Sequence, residues 1–291
     1  MLDKFLKYAI TEKRFSEHTV IAYEKDLRQF LDFVELESDM EIVEVKNSLI
    51  RNWMVSLLEN DYSAISVHRK LSTLRTFFKW LQKEGVIHTN PMKTIAGPKV
   101  KKKLPAFAQQ GELLNEKIDP LFSNDFEGVR DRLMFEILYQ TGIRSSELVQ
   151  LKTKDVQNNR IKVIGKRNKE RFVPIDQGLM NSIELYLTFR AEIAFQSEFL
   201  LVLKSGKKLY PKFVYRKINS YLGKATGLSK KSPHVLRHTF ATHMLNNGAE
   251  LEVLKDILGH ANLSATQIYT HNSFAQLTNI YSQSHPRGHK K

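Results

Sequence analysis

Through the N-terminal third of the chain, apolar residues recur with the 3.6-residue period of amphipathic helices. After Ser16, which is placed to cap a helix, Val20, Tyr23, Leu27, Phe30, Leu31 and Val34 share one face. Leu49, Ile50, Trp53, Leu57 and Leu58 predict a helix at about 47–59. Val67, Leu71, Leu74, Phe78 and Leu81 predict another at about 64–83, with Gly85 as its stop. An initial helix near 2–11 completes a four-helix bundle. The pattern then changes. Leu133, Met134, Ile137 and Leu138 predict a helix near 129–140 that ends at Thr141-Gly142, and another begins near 145. Residues 160–164 and 171–175 read as strands flanking a Gly165–Glu170 turn, a hairpin. Helices follow at 179–194 and 211–226. Ser232-Pro233 supplies a cap and a first-turn proline for a helix reaching about Asn247. Leu251, Leu254, Ile257 and Leu258 mark a further helix stopped at Gly259, and Ser264 to Gln267 has capping-box spacing for a short helix carrying Tyr269. The expected fold is mainly α with a small β-sheet, in two domains.

Composition adds little to the fold but narrows the function. The 291 residues are 42% apolar and 26% charged, an ordinary globular mixture. No cysteine is present, which excludes disulfide scaffolds, thiol nucleophiles and cysteine-ligated metals. No apolar run approaches the ~18 residues of a membrane span, and charges run through the N-terminus, so the expectation is a cytosolic protein without a signal peptide. The net charge of +14 is unevenly spread. Residues 1–98 carry 14 basic and 14 acidic side chains, whereas 104–291 carry 27 and 17. Between them lie Lys99, Lys101, Lys102 and Lys103, flanked by Pro98 and Pro105, which oppose helix. The expected organisation is a helical domain at 1–95, a basic linker at 96–105 and a second domain at 106–291. The linker is either a solvated tether or a segment that follows a phosphate backbone. In the same way, the polar face of the 64–83 helix (Ser66, Arg69, Lys70, Thr73, Thr76, with Arg75 nearby) is either solvated or a phosphate-positioning row.

The chemistry-bearing residues cluster late. Seven of the ten histidines follow residue 233. His234 and His238 have metal-ligand spacing, but Arg237 lies beside them and no HExxH glutamate is present, which argues against a metal. His234 and Arg237 share a helix face, Arg144 opens a helix, Lys166 sits at a hairpin tip, His260 follows Gly259, and Tyr269 comes nine residues later. Two arginines, a lysine and two histidines suit a phosphodiester, whose non-bridging oxygens arginines clamp bidentately. The attacking group is then a hydroxyl, and nearby cations would activate the Tyr269 phenol. Glu147, one turn after Arg144, either orients that arginine or is an ordinary exposed helix residue. There is no GxxxxGK[ST] loop, no GxSxG elbow and no recognisable acidic cluster for two metals.

At Thr141–Leu148, Gly165–Arg171, His234–His243, Leu258-Gly259-His260 and Ile268–His271 the sequence resembles the tyrosine recombinases of the phage integrase family, most of all the Xer-type site-specific recombinases. The resemblance runs from end to end. It implies a helical, SAM-like core-binding domain and an α+β catalytic domain that close on DNA as a C-shaped clamp. It implies Tyr269 as nucleophile forming a 3′-phosphotyrosyl bond, Arg144 and Arg237 as the phosphate clamp, and Lys166 as general acid. His234 and His260 would assist proton transfer, with neither cofactor nor metal, and recombination would pass through a Holliday junction. Arg167 departs from the glycine often found in that turn; it would add a phosphate contact or alter hairpin mobility. DNA contacts are expected from Arg69, Lys70, Arg75, Lys101, Lys102, Lys103 and Arg167. A homotetramer, or a heterotetramer with a paired recombinase, would assemble on synapsed double-stranded DNA. The C-terminal stripe Phe274, Leu277, Ile280 and Tyr281 would dock on a neighbour. Resolution of chromosome or plasmid dimers at cell division is the implied role, in the nucleoid, with a septal DNA translocase of the FtsK type as activator. A mobile-element integrase of the same chemistry, a type IB topoisomerase and a non-catalytic DNA-binding protein are the alternatives.

Overall fold

The computed structural model describes residues 1–35, 39–100, 106–165, 168–193, 197–259 and 271–288, without the side chains of 39–40 and 271–276. Packing divides the chain into two units, Met1–Lys103 and Leu104–Lys291. The first is built from α1 (Leu2–Thr11), α2 (Glu17–Val34), α3 (Asn47–Glu59) and α4 (Ala64–Lys83). The Ser16 and Ser63 hydroxyls accept the N–H groups of Thr19 and Ser66 and so start α2 and α4. Phe5, Leu27, Phe30, Ile50, Trp53, Leu71, Leu74, Phe77, Phe78 and Leu81 form the core. Edge-to-face ring pairs hold its centre: Phe30 against Trp53 at 5.1 Å and Phe5 against Phe77 at 5.1 Å.

One polar group departs from this apolar plan. Asp26 on α2 is buried and accepts bonds from Lys70 Nζ (2.9 Å), Thr73 Oγ1 (3.0 Å) and both terminal nitrogens of Arg69 on α4. Burial alone would raise its pKa; Arg69 and Lys70 outweigh that and hold the carboxyl below its ordinary value. This corrects the expected phosphate row. Lys70 is only 3% exposed, shared between Asp26 and Gln29 and lying over the Tyr62 ring, so its ammonium is unavailable to DNA. Arg69 keeps half its side chain exposed, and Arg75 donates to the Ile95 carbonyl.

The linker expected at 96–105 begins as packed chain. His68 hydrogen-bonds the Pro98 carbonyl at 2.7 Å, and Gly97 passes so close to the His68 ring that a Cβ would collide with it. Lys101, Lys102 and Lys103 lie outside the described residues. Beyond the linker, Ala108 donates its N–H to Thr239 Oγ1 (3.0 Å) and its carbonyl bonds His243 Nε2 (2.9 Å).

The second unit is organised on α6 (Phe126–Thr141), which is buried around most of its circumference and preceded by the single turn α5 (Asn115–Ile118). Around it pack α7 (Ser145–Leu148), α8 (Gln177–Ala191), α9 (Pro211–Ala225) and α10 (Pro233–Asn246). The antiparallel sheet runs β1 (Val156–Gln157), β2 (Arg160–Ile164), β3 (Glu170–Pro174) in that order. Asn158 and Asn159 both take positive φ (49° and 55°), the two-residue turn that matches strand twist. In β2–β3, Ile161 opposes Val173 and Val163 opposes Arg171, all four side chains facing inward. α11 (Leu251–Leu258) and α12 (His271–Ser284) complete the unit. No helix among the described residues is long and apolar enough to cross a membrane.

The C-terminal stripe packs on its own domain in the single chain. Leu277 and Tyr281 are buried in the core of their own domain, and Ile280 packs against it. Here α12 lies on α10, α11 and β3, His285 stacks on Tyr281 at 5.1 Å, and Asn247 donates to the Ser284 carbonyl. In the single chain Leu277 and Tyr281 are therefore covered from within, while Ile280 stays half-buried. The Phe274 side chain lies outside the described residues.

Candidate active site

The site begins where α6 stops. Gly142 ends the helix in the left-handed conformation (φ 62°). A Cβ at this position would strike the Phe240 ring and approach Leu258 Cδ2 to 2.8 Å, so only glycine lets the chain pass here. The Gly142 carbonyl accepts Arg237 Nη1 at 2.6 Å, and Arg237 Nη2 donates to the Leu258 carbonyl at 2.8 Å. Arg237 thus ties the end of α6 to the end of α11 while standing on α10. Burial first, and Arg144 next, push its pKa down to about 10, which leaves it protonated at neutral pH.

Two residues after Gly142, Arg144 opens α7. Its N–H donates to Glu147 Oε2 at 2.8 Å and its Nη1 to Oε1 at 3.0 Å. The same carboxylate is gripped from the sheet: Arg171 Nη1 and Nη2 reach Oε1 and Oε2 at 3.0 and 2.9 Å. Burial would raise the Glu147 pKa, but Arg171 and then Arg144 overcome it and hold the group ionised. The three guanidiniums and one carboxylate carry a net positive charge. The Arg144 side chain is still 30% exposed, and a guanidinium has five donors, so the cluster is suited to an anion such as a phosphodiester.

The structure therefore brings Arg144 and Arg237 together, and it places His234 on the exposed side of α10 one turn before Arg237. Lys166, Arg167, His260 and Tyr269 lie outside the described residues. The chain bounding them is placed: the Gly165 N–H bonds the Lys169 carbonyl at 2.8 Å, and Gly259 caps α11 with φ 66°. Glu147 proves to be a partner of Arg144 rather than an exposed helix residue. Arg171 was missed altogether, although the alternation of β3 carried a signal: with Val173 it occupies the inward register, where a charged residue requires a partner.

Two packed units, a glycine-capped arginine pair and a three-stranded sheet define a class, and the chain belongs to it: residues 109–276 match the phage integrase family and residues 2–85 the N-terminal SAM-like domain of phage integrases. It is a site-specific tyrosine recombinase, and DNA is its partner. Among its relatives is the tyrosine recombinase XerC of Staphylococcus epidermidis, 39% identical over 99% of this chain and 98% of that protein. The XerC proteins of Staphylococcus aureus (40%, covering 99% and 97%) and Halalkalibacterium halodurans (38%, covering 98% and 97%) are similarly alike. Among solved structures, the XerH recombinase bound to palindromic difH substrate, a post-cleavage complex, has a TM-score of 0.74 at 25% identity, over 97% of this chain and 83% of that one. A lambda integrase dimer on a COC′ core site shares the fold, with a TM-score of 0.69 at 17% identity, over 100% of this chain and 78% of that one.

Proposed function

We propose that this chain performs the XerC-type reaction, resolving chromosome or plasmid dimers by cutting and rejoining DNA through a 3′-phosphotyrosyl intermediate and a Holliday junction. Similarity to XerC proteins at 38–40% identity across both units carries this reading. In the proposed mechanism Arg144 and Arg237 hold the non-bridging oxygens of the scissile phosphate and stabilise the charge that builds in the pentacoordinate transition state. Tyr269 attacks phosphorus; the phenol proton passes to His234, assisted by His260, and Lys166 protonates the departing 5′-oxygen. The phosphodiester energy is retained in the tyrosyl linkage, so rejoining by the partner strand's 5′-hydroxyl needs no nucleotide hydrolysis. The reading extends to a tetramer on two synapsed sites, composed of this chain alone or with a paired homologue, acting in the nucleoid with a septal DNA translocase of the FtsK type as activator. Arg69 and Arg75, Lys101 to Lys103 and Arg167 are its proposed DNA contacts.

The test is a supercoiled plasmid carrying two copies of a candidate site from the source replicon, with the paired homologue and translocase added in separate arms. Two resolved circles are expected in at least one arm. Relaxation of a plasmid lacking the site would instead identify a topoisomerase, and resolution only at the ends of a mobile element would overturn the dimer-resolution role.

A further inference from the structure

Arg171 is bound on every side of its guanidinium. It stands on β3, 5% exposed, where Nη1 and Nη2 engage both oxygens of Glu147 and Nε donates to the Ile257 carbonyl at 2.7 Å. It also packs beneath Gly259: a Cβ added there would lie 3.1 Å from Nη1 and 3.2 Å from Cδ and Cζ. One side chain thus joins the strand that follows Lys166, the carboxylate that holds Arg144, and the chain end that leads into His260.

The charge arrangement matters more than the tether. A buried carboxylate with Arg144 as its only cation would draw that guanidinium into a closed ion pair and cancel the charge a phosphate requires. With Arg171 already bidentate on Glu147, the carboxylate is neutralised from the interior. Arg144 contributes Nη1 and its backbone N–H to Glu147, and among the described residues its remaining donors stay available. A lysine could not supply the same geometry, because it has no planar fork and no Nε for the Ile257 carbonyl.

We propose that Arg171 is a positioning residue of the cleavage reaction, neutralising Glu147 so that Arg144 keeps its charge for the scissile phosphate. The proposal rests on the assignment of Arg144 to that phosphate.

The experiment measures single-turnover cleavage of a nicked site by the full chain, on a phosphodiester and on a methylphosphonate that lacks one anionic oxygen at the scissile position. Arg171→Met is expected to slow phosphodiester cleavage by about 30–100-fold, near the loss for one transition-state donor, with DNA affinity unchanged. On the methylphosphonate the loss should be several-fold smaller. Adding Glu147→Gln removes the charge that Arg171 balances and should recover about tenfold on the phosphodiester, a coupling expected only if the two act as a pair. Equal losses on the two substrates, or no recovery in the double variant, would overturn the proposal. If Arg171→Met shows no cooperative thermal transition, Arg171→Lys is read in its place, with a smaller loss that is still selective for the phosphodiester. Arg144→Gln is the control: wild-type cleavage by that variant would overturn the assignment of Arg144, and the proposal with it.

Discussion

Each domain holds a buried carboxylate with one cation on its interior side and one at the surface, and the two arrangements, Asp26 and Glu147, are nearly parallel. In the N-terminal bundle, Asp26 takes Lys70 from the interior and Arg69 from the surface. In the catalytic domain, Glu147 takes Arg171 from the interior and Arg144 from the surface. The difference lies in what each cluster joins. Asp26 and all its partners belong to α2 and α4, so the cluster fixes the packing of two helices and nothing more. Glu147 gathers α7, β3 and the end of α11, and Arg237 adds a third guanidinium whose bonds among the described residues go to neutral carbonyls. A buried ion cluster is structural when all its members lie within one interface. It is suited to chemistry when it joins several chain ends and keeps a surplus positive charge at the surface.

The largest effect tests the structural half. Asp26→Ala leaves the buried Lys70 without its counter-charge and should destabilise the N-terminal domain by about 3–5 kcal/mol in urea unfolding. At temperatures where the variant is folded, single-turnover cleavage at saturating DNA should be unchanged. A cleavage defect there would mean that the two clusters are not separable. Next in size, Arg237→Gln should lower the cleavage rate by about 10²–10³-fold while moving the thermal midpoint little, the reverse of the Asp26 result. Gly142→Ala forces a Cβ into Phe240 and Leu258 at a positive φ and should cost about 1–3 kcal/mol, with a loss of cleavage because the Gly142 carbonyl positions Arg237. A stable and fully active Gly142→Ala would show that this close approach is dispensable.

The smallest effect is the response to acid, and its sign follows from linkage. Asp26 and Glu147 both have folded pKa values below their ordinary ones. The stability they contribute is therefore complete above the unfolded carboxylate range of about pH 4 and is lost as pH falls through the lower folded values. Unfolding free energy should decline below about pH 4, and Asp26→Asn should flatten that decline for the N-terminal transition alone.

These two carboxylates also mark where the sequence could and could not be read. The N-terminal helices were legible because Leu27 and Phe30, or Val67, Leu71, Leu74 and Phe78, repeat at a single period and one core receives them all. Asp26 sits between Tyr23 and Phe30 on the edge of that same face, and a carboxylate there already demanded a buried cation, so Lys70 was misassigned to the surface. Arg144 and Arg237 were legible because the motifs around them are local: a helix stop, an opening turn, one helix face. Arg171 was not, because its meaning depends on Glu147 and Ile257, 24 and 86 positions away. Strand β1 escaped notice because two residues show no alternation, although Asn158-Asn159 signals its turn. The stripe of α12 was read correctly as apolar, but periodicity cannot say whether such a face is covered within the chain or by another copy. In the single chain Leu277 and Tyr281 are covered within.

The nucleophile decides the rest. A nicked suicide substrate, in which the released fragment diffuses away, should trap the wild-type chain as a covalent DNA adduct. Peptide mass mapping should place that adduct on Tyr269, and Tyr269→Phe should bind the same DNA and form none. An adduct that persists in Tyr269→Phe, or that maps to another residue, would contradict the catalytic assignment.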